Sequence, residues 1–229
     1  MGVKRSYDVS RRQAATRATR REVVETAGRL FLRLGYPATT IAQIADESGV
    51  PPATVYRLFG SKRGILKAVL DDAFGGDDVA VEFQHRPEVT AALAAEDPRL
   101  LLAEFARVLT RLMNRAGRLQ HVLATSAAVD DEAAEMLEIT RRQRRLGQSR
   151  IVGELARRRA LRDGLTQTAA TDIVYTVMSP EVYRILTFER GWNDHDYESW
   201  LARTLQTQLL DIAPDEGRVT FDPRRQPAE

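Results

Sequence analysis

The sequence predicts an all-α protein with a domain of short helices at its N-terminus and a domain of longer helices after it. Ala, Leu, Arg and Glu, which favour helices, dominate the 229 residues, and the alternating Val-, Ile- and Thr-rich runs typical of strands are scarce. Apolar residues recur at intervals of three and four, as on one face of a helix. Gly and Pro interrupt this pattern closely only before about residue 78.

Composition excludes several classes of function. The chain has no cysteine, so disulfides, thiolate metal sites and thiol redox chemistry are excluded. His85, His121 and His195 are isolated, and we expect neither a metal nor a cofactor. The sequence shows no pairing of a nucleophile with a base that would suggest an enzyme. The longest apolar runs are far shorter than a membrane span, and the N-terminus lacks the apolar core of a secretory signal, so we expect a cytoplasmic protein.

Charge is distributed unevenly along the chain. Residues 1–64 contain 12 Lys and Arg against five Asp and Glu, which gives +7, whereas the remainder carries −5. Such asymmetry suggests a polyanionic partner for the basic part, although a basic tail would also produce it. The arginines at 11, 12, 17, 20 and 21 could form an arm that reaches an adjacent groove of DNA, and a solubilising tail explains the first two of them equally well.

Caps and breakers predict where the helices begin and end. The first helix is expected over 17–34, the second from the cap Thr40 to Ser48, the third between Pro51 and Gly60, and the fourth after Ser61. Later helices are expected near 88–95, 98–115, 119–128, 131–159, 166–190 and 194–212. We therefore predict domains at 17–77 and 78–213, with flexible tails at 1–16 and 214–229.

The segment 40–59, TIAQIADESGVPPATVYRLF, has the spacing of two helices joined by a tight turn. Gly49 permits the turn, and Val55 and Phe59 anchor the second helix to the core. This is helix-turn-helix geometry, in which the second helix enters the major groove of DNA.

The outward face of this motif offers groups for phosphates and for base edges. We predict backbone contacts from Thr40, Tyr56 and Lys62, base readout from Thr54 and Arg57 with apolar contacts from Pro52 and Ala53, and a further contact from Gln43. Alternatives remain at three positions. Tyr56 could be a core tyrosine, Lys62 a solvated helix start, and Arg57 a phosphate anchor rather than a base reader.

Three segments in order, AGRLFLRLGY, TTIAQIADESGV and ATVYRLFGSKRGIL, carry a family resemblance. The stretch from Glu22 to Leu70 resembles the DNA-binding domain of TetR-type transcriptional regulators. The resemblance places DNA contacts at Thr40, the 52–57 segment and Lys62. Pro51 and Pro52 depart from the family pattern, because they remove two backbone donors and a possible polar reader.

The C-terminal segment 179–205 looks like the closing two helices of one TetR subgroup. That resemblance implies a homodimer through the last two helices, at about 166–212. Trp192, Tyr197 and Trp200 could line a pocket, but packing at the subunit interface is the favoured interpretation.

An arginine run at 140–150 allows two interpretations. It could bind an anionic ligand or a second nucleic acid, or it could be a solvated helix face. The spacing of Glu138 with Arg142 and of Glu154 with Arg158 favours the solvated face.

Together these features predict a homodimeric regulator that binds a palindromic double-stranded DNA operator and that a small-molecule effector releases as a repressor. The sequence does not identify the effector-binding residues. The alternatives are an activator of the same fold, an enzyme built on the C-terminal helices, and a helical interaction module that does not bind DNA.

Overall fold

The apolar periodicity corresponds to helices throughout a computed structural model that describes residues 3–75 and 86–211, with side chains from Gln13 onward. The described residues contain α-helices and no strand, as the sequence predicts. The helices are α1 Val3–Leu34, α2 Ile41–Ser48, α3 Pro52–Phe59, α4 Lys62–Gly75, α5 Pro87–Ala94, α6 Pro98–Ser126, α7 Asp131–Arg157, α8 Gln167–Val177, α9 Pro180–Arg184 and α10 Asp194–Leu209. A π-helical turn, Ile185–Glu189, follows α9.

Three of the predicted boundaries differ from the structure. Helix α1 begins at Val3, because residues 3–16 contain neither Pro nor Gly to stop it, so the described part of the predicted 1–16 tail is helical. The predicted helices 98–115 and 119–128 are one helix, since Gly117 alone does not end α6. The predicted helix 166–190 breaks before Pro180, where the Ser179 hydroxyl caps α9. The predicted 214–229 tail lies outside the described residues.

Helices α1 to α4 share one apolar core in the N-terminal part of the chain. Both α2 and α4 pack against α1. The residues of this core with no exposed surface are Val23, Ala27, Leu30, Phe31, Tyr36, Ile44, Val55 and Ile65. Burial of these side chains fixes the short helices, which would be unstable alone.

The described residues divide into two compact units. The first unit joins residues 3–75 to Arg118–Glu138, and the second joins residues 86–117 to 139–211. The predicted boundary at 77–78 falls outside the described residues. The first unit also takes in 118–138, which the sequence analysis assigned to the second domain. Two hydrogen bonds link these segments: the Tyr36 hydroxyl donates to Glu132 and the Arg63 guanidinium donates to Glu135.

The second unit buries the apolar stripe of α10. Tyr197, Leu201, Leu205 and Leu209 have no exposed surface within the single chain. Tyr197 packs edge-on against Tyr183, with ring centroids 4.9 Å apart. The prediction that Tyr197 packs at a subunit interface is therefore wrong, because this side chain is buried in the core of its own unit.

Helix α7 ends in a cluster of charge pairs in the second unit. The predicted pair of Glu154 and Arg158 forms, with the Arg158 guanidinium 2.6 Å from the Glu154 carboxylate. Hydrogen bonds from Arg157 and Arg158 lower the pKa of Glu154 to about 2. Arg158 also donates to the Leu93 carbonyl, 2.8 Å away, at the end of α5.

No helix in the described residues has the length and apolarity that a membrane span requires. Within residues 13–75 and 86–211, no group of three or more His, Asp or Glu side chains could hold a metal ion.

Candidate nucleic-acid interface

Helix α3 has one buried and one exposed face. Val55 has no exposed surface, whereas the next residue, Tyr56, is 54% exposed. Pro52, Ala53 and Arg57 are also exposed. Tyr56 is therefore not a core tyrosine, and the face predicted to meet DNA is open in the protein.

The turn before α3 depends on Gly49. This residue has φ = 66°, in the left-handed region that glycine adopts without strain, and its N–H donates to the Asp46 carbonyl. Pro51 and Pro52 then open α3, where the first backbone N–H groups have no intrahelical partner in any case. The Pro51 carbonyl accepts from the N–H of Thr54 at 2.8 Å, so the two prolines do not weaken the start of the helix.

A capping box fixes the start of α2. The Thr40 hydroxyl accepts from the Gln43 N–H at 3.2 Å, and the Gln43 side-chain oxygen accepts from the Thr40 N–H at 2.8 Å. Both residues are exposed. Because the Gln43 oxygen is engaged, any contact from Gln43 to a base would come from its amide N–H₂ group.

Lys62 has partners inside the protein that the sequence did not reveal. Its ammonium donates to the carbonyls of Tyr36 and Pro37, at 3.1 and 3.4 Å, and lies 4.3 Å from the centroid of the Tyr36 ring. Carbonyl dipoles and a ring face thus explain a lysine at a helix start without an anion. Lys62 is neither simply solvated nor dependent on phosphate for partners, and its DNA contact stays a prediction.

Tyr36 is a residue of this region that sequence reasoning missed. It is fully buried, its ring centroid is 5.4 Å from that of Phe31, and its hydroxyl donates to the Glu132 carboxylate at 2.9 Å. Burial first, and then this bond, raise the pKa of Tyr36 above its ordinary value. Nothing local predicts the pairing, because the two residues are 96 positions apart in the chain.

The N-terminal arginines do not behave as one group. The Arg20 guanidinium donates to the Leu58 carbonyl at 3.3 Å and lies 4.6 Å from the centroid of the Phe59 ring, so it supports the end of α3. Arg21 lies 3.6 Å from Glu25 in an exposed ion pair. Arg17 is exposed, and the side chains of residues 11 and 12 lie outside the described residues.

A tight left-handed turn, a capped α2 and a short α3 with an open outer face define the class of helix-turn-helix DNA-binding proteins. The comparison with protein families agrees. Residues 23–69 match the family described as "Bacterial regulatory proteins, tetR family". The N-terminal domain is therefore of the tetR type over these residues, as the sequence resemblance implies.

Similarity to known regulators extends beyond that domain. The chain is 31% identical over 163 residues to the HTH-type transcriptional regulator TcmR of Streptomyces glaucescens, an alignment that covers 67% of this chain and 64% of TcmR. It spans only 29% and 35% of two other curated relatives, a regulator of Bacillus subtilis and a repressor of Escherichia coli.

Solved structures share the fold. The SmeT–triclosan complex superposes with a TM-score of 0.68 at 16% identity and covers 93% of this chain and 100% of SmeT. The transcriptional regulator FadR from Bacillus subtilis, in complex with stearoyl-CoA, has a TM-score of 0.65 at 15% identity and covers 82% of this chain and 97% of FadR. These likenesses confirm the all-α fold.

Proposed function

We propose that the protein is a homodimeric, sequence-specific transcriptional repressor that a small-molecule effector releases from a palindromic operator. The observation that carries this proposal is the open outer face of α3, with Tyr56 54% exposed beside the fully buried Val55. Together with the exposed Pro52, Ala53 and Arg57, this tyrosine gives α3 an outer face of the kind that a groove-binding helix presents to DNA. Such a regulator would have no catalytic role and would act in the cytoplasm, where the DNA lies.

The contacts divide by the chemistry of the side chains. Thr40, Tyr56 and Lys62 are proposed to meet phosphates, which positions the protein without reading sequence. Thr54 and Arg57 are proposed to read base edges, with Pro52 and Ala53 against thymine methyl groups and Gln43 reaching in from α2. Arg57 is exposed on the outer face of α3, which leaves its guanidinium available for a bidentate contact with guanine.

The dimer is proposed to form through the region 166–212. Ile185 and Phe188 are 42% and 54% exposed, and they are large apolar side chains on the π-helical turn after α9. A shallow depression in the same region of the chain is lined by side chains of α8 and α10, including Ile173, Val177 and Thr204. Because the main apolar stripe of α10 is buried in its own unit, we expect α10 to contribute its polar edge to the interface.

An effector is proposed because two structural neighbours carry small molecules. SmeT is described in complex with triclosan, and FadR in complex with stearoyl-CoA. Release from DNA then requires that the effector bind the DNA-competent state less tightly than the alternative state.

Selection of bound duplexes from a random pool with the purified full chain tests the proposal. At physiological salt we expect an enriched palindrome whose half-sites lie about 10 base pairs apart, one helical turn. Failure to enrich any sequence would overturn sequence-specific regulation and would favour an interaction module. Enrichment of single half-sites alone would overturn the dimer.

Two substitutions divide readout from backbone contact. Arg57→Ala should cost about 1–3 kcal/mol at one base position and relax the preference there. Tyr56→Phe, which removes only a hydroxyl, should weaken binding about equally on all duplexes. The control is Arg142→Ala, which removes an exposed arginine on α7 and should leave binding unchanged. Equal losses for Arg57→Ala on selected and random DNA would contradict base readout.

A further inference from the structure

Buried polar atoms without a hydrogen-bond partner are confined to one part of the described chain. They are Arg144 Nε and Nη1, Gln148 Oε1 and Tyr197 Oη, and all three residues lie in the second unit. Protein interiors leave few polar groups in this state, because a buried donor or acceptor without a partner is costly. Each of these groups therefore needs a hydrogen-bond partner that the chain alone does not supply.

Arg144 is the residue among these three whose side chain carries a full positive charge, so leaving it without a partner is the most costly. Its side chain is 16% exposed, and its guanidinium carbon lies 4.1 Å from the centroid of the Tyr175 ring. The nearest carboxylate oxygen, on Glu181, is 3.8 Å from Nη1, and the Glu181 side chain is 59% exposed. A charge-assisted hydrogen bond is about 2.7–2.9 Å long. Glu181 therefore partly offsets the positive charge of Arg144 but does not form such a bond with it.

Gln148 lies one helical turn after Arg144, on the same face of α7. It is 5% exposed, and its side-chain oxygen has no donor. The next turn of this face is apolar and buried, with Ile151 and Val152 at 3% and 1% exposure. Donors on Arg144 and an acceptor on Gln148 thus lie together in an apolar surrounding.

The neighbouring arginine shows what an ordinary position on this helix looks like. Arg145 is 66% exposed and lies 3.6 Å from Asp172, which is 63% exposed. The solvated-face interpretation of the run 140–150 therefore holds for Arg145 and fails for Arg144. The two adjacent arginines form a matched pair for experiment.

We propose that Arg144 and Gln148 bind a small organic acid. The carboxylate of the ligand accepts from the Arg144 Nε–H and Nη1–H groups, and a neighbouring hydroxyl or N–H of the ligand donates to Gln148 Oε1. The Tyr175 ring packs against the guanidinium group of Arg144. This inference rests on the proposed function, since the acid would be the effector of the repressor.

The first test needs no ligand. If Arg144 is buried for a partner that is absent, Arg144→Met should leave the Tm of the ligand-free protein unchanged or raise it, because an apolar side chain of similar length suits the site better. Arg145→Met serves as the control and should have no effect. A Tm that falls for Arg144→Met but not for Arg145→Met would assign Arg144 a structural role and overturn the proposal.

The second test uses salicylate, which carries a carboxylate beside a hydroxyl. Benzoate lacks the hydroxyl, and salicylamide lacks the charge. Calorimetric titration of the full chain should rank their affinities as salicylate, then benzoate, then salicylamide. Arg144→Met should weaken salicylate at least tenfold, whereas Arg145→Met should not. Gln148→Met should reduce salicylate binding to the level of benzoate.

Two outcomes of the titration would overturn the inference: no binding of salicylate and benzoate to the wild-type chain, or equal binding to wild type and Arg144→Met. Selection of DNA with the same preparations separates this failure from failure of the proposed function. If the chain selects an operator but does not bind the acids, only the ligand proposal is overturned. If the chain selects no sequence, the regulator proposal is overturned whether or not the acids bind.

Discussion

Tyr36 connects three segments of the first unit. Its hydroxyl bonds to Glu132 on α7, its backbone carbonyl accepts from Lys62 on α4, and the Lys62 ammonium lies over its ring. The residue itself sits in the turn between α1 and α2, so one residue links this turn to α4 and to the start of α7.

Removal of the Tyr36 hydroxyl is expected to destabilise the protein. Tyr36→Phe keeps the buried ring and leaves Glu132 without its donor, which should lower the free energy of unfolding by about 1–2 kcal/mol in urea titrations. Glu132→Gln, which retains an acceptor oxygen, should cost less. An unchanged unfolding midpoint for Tyr36→Phe would show that the bond is not formed in solution.

Alkaline pH should weaken the folded state through its buried tyrosines. Burial raises the pKa of Tyr36, Tyr183 and Tyr197 above their ordinary value of 10.0. Below pH 10 these phenols are protonated in both states, and their contribution is complete. Above pH 10 they ionise first in the unfolded chain, so stability falls as pH rises towards the folded pKa values.

Urea titrations at pH 9 and pH 11 check this dependence. The free energy of unfolding should be lower at pH 11, and the decrease should be smaller in Tyr36→Phe. An identical decrease in wild type and variant would contradict the assignment to Tyr36.

At the scale of elements, the passage from α3 to α4 depends on a close backbone approach. A Cβ atom on Gly64, in the first turn of α4, would lie 1.9 Å from the Phe59 carbonyl oxygen at the end of α3. No rotamer change relieves contact with a backbone atom, so the helices themselves would have to separate. Nothing in the local sequence around Gly64 indicates this close approach.

Gly64→Ala is therefore expected to displace α3. The free energy of unfolding should fall by roughly 2–3 kcal/mol, and affinity for a selected operator should fall further than stability alone explains. Gly153→Ala is the control, because a Cβ there meets nothing within 4 Å, and alanine should stabilise α7 by about 0.5–1 kcal/mol. Thermal unfolding and gel-shift titration measure both. Equal effects of the two alanines would refute the close approach.

At the scale of the whole molecule, the chain interleaves its two units. Helices α6 and α7 each contribute one part to the first unit and another to the second. Within α7, Glu132 contacts Tyr36 in the first unit, while Arg144 and Gln148 lie in the second.

Assembly into a dimer is tested at the exposed apolar turn after α9. Phe188→Glu places a charge on the proposed interface and should convert the dimer to monomer in sedimentation experiments, because burial of an unpaired carboxylate is unfavourable. Binding to a full palindrome should weaken at least tenfold, and binding to a half-site should not. The control Val129→Glu changes a side chain that is 77% exposed in the first unit. A dimeric Phe188→Glu protein would contradict the proposed surface.

The sequence by itself determined the all-α class, the helix-turn-helix at 40–59 and the tetR-type character of the N-terminal domain. These follow from local chemistry, since caps, left-handed glycines and apolar spacing act over a few residues, and Thr40, Gly49 and Val55 express them directly. Tertiary structure alone decided the partners of Lys62, the burial of Arg144 beside an exposed Arg145, and the joining of residues 118–138 to the first unit. Those features depend on side chains that are far apart in sequence, and no local pattern records which distant residues will meet.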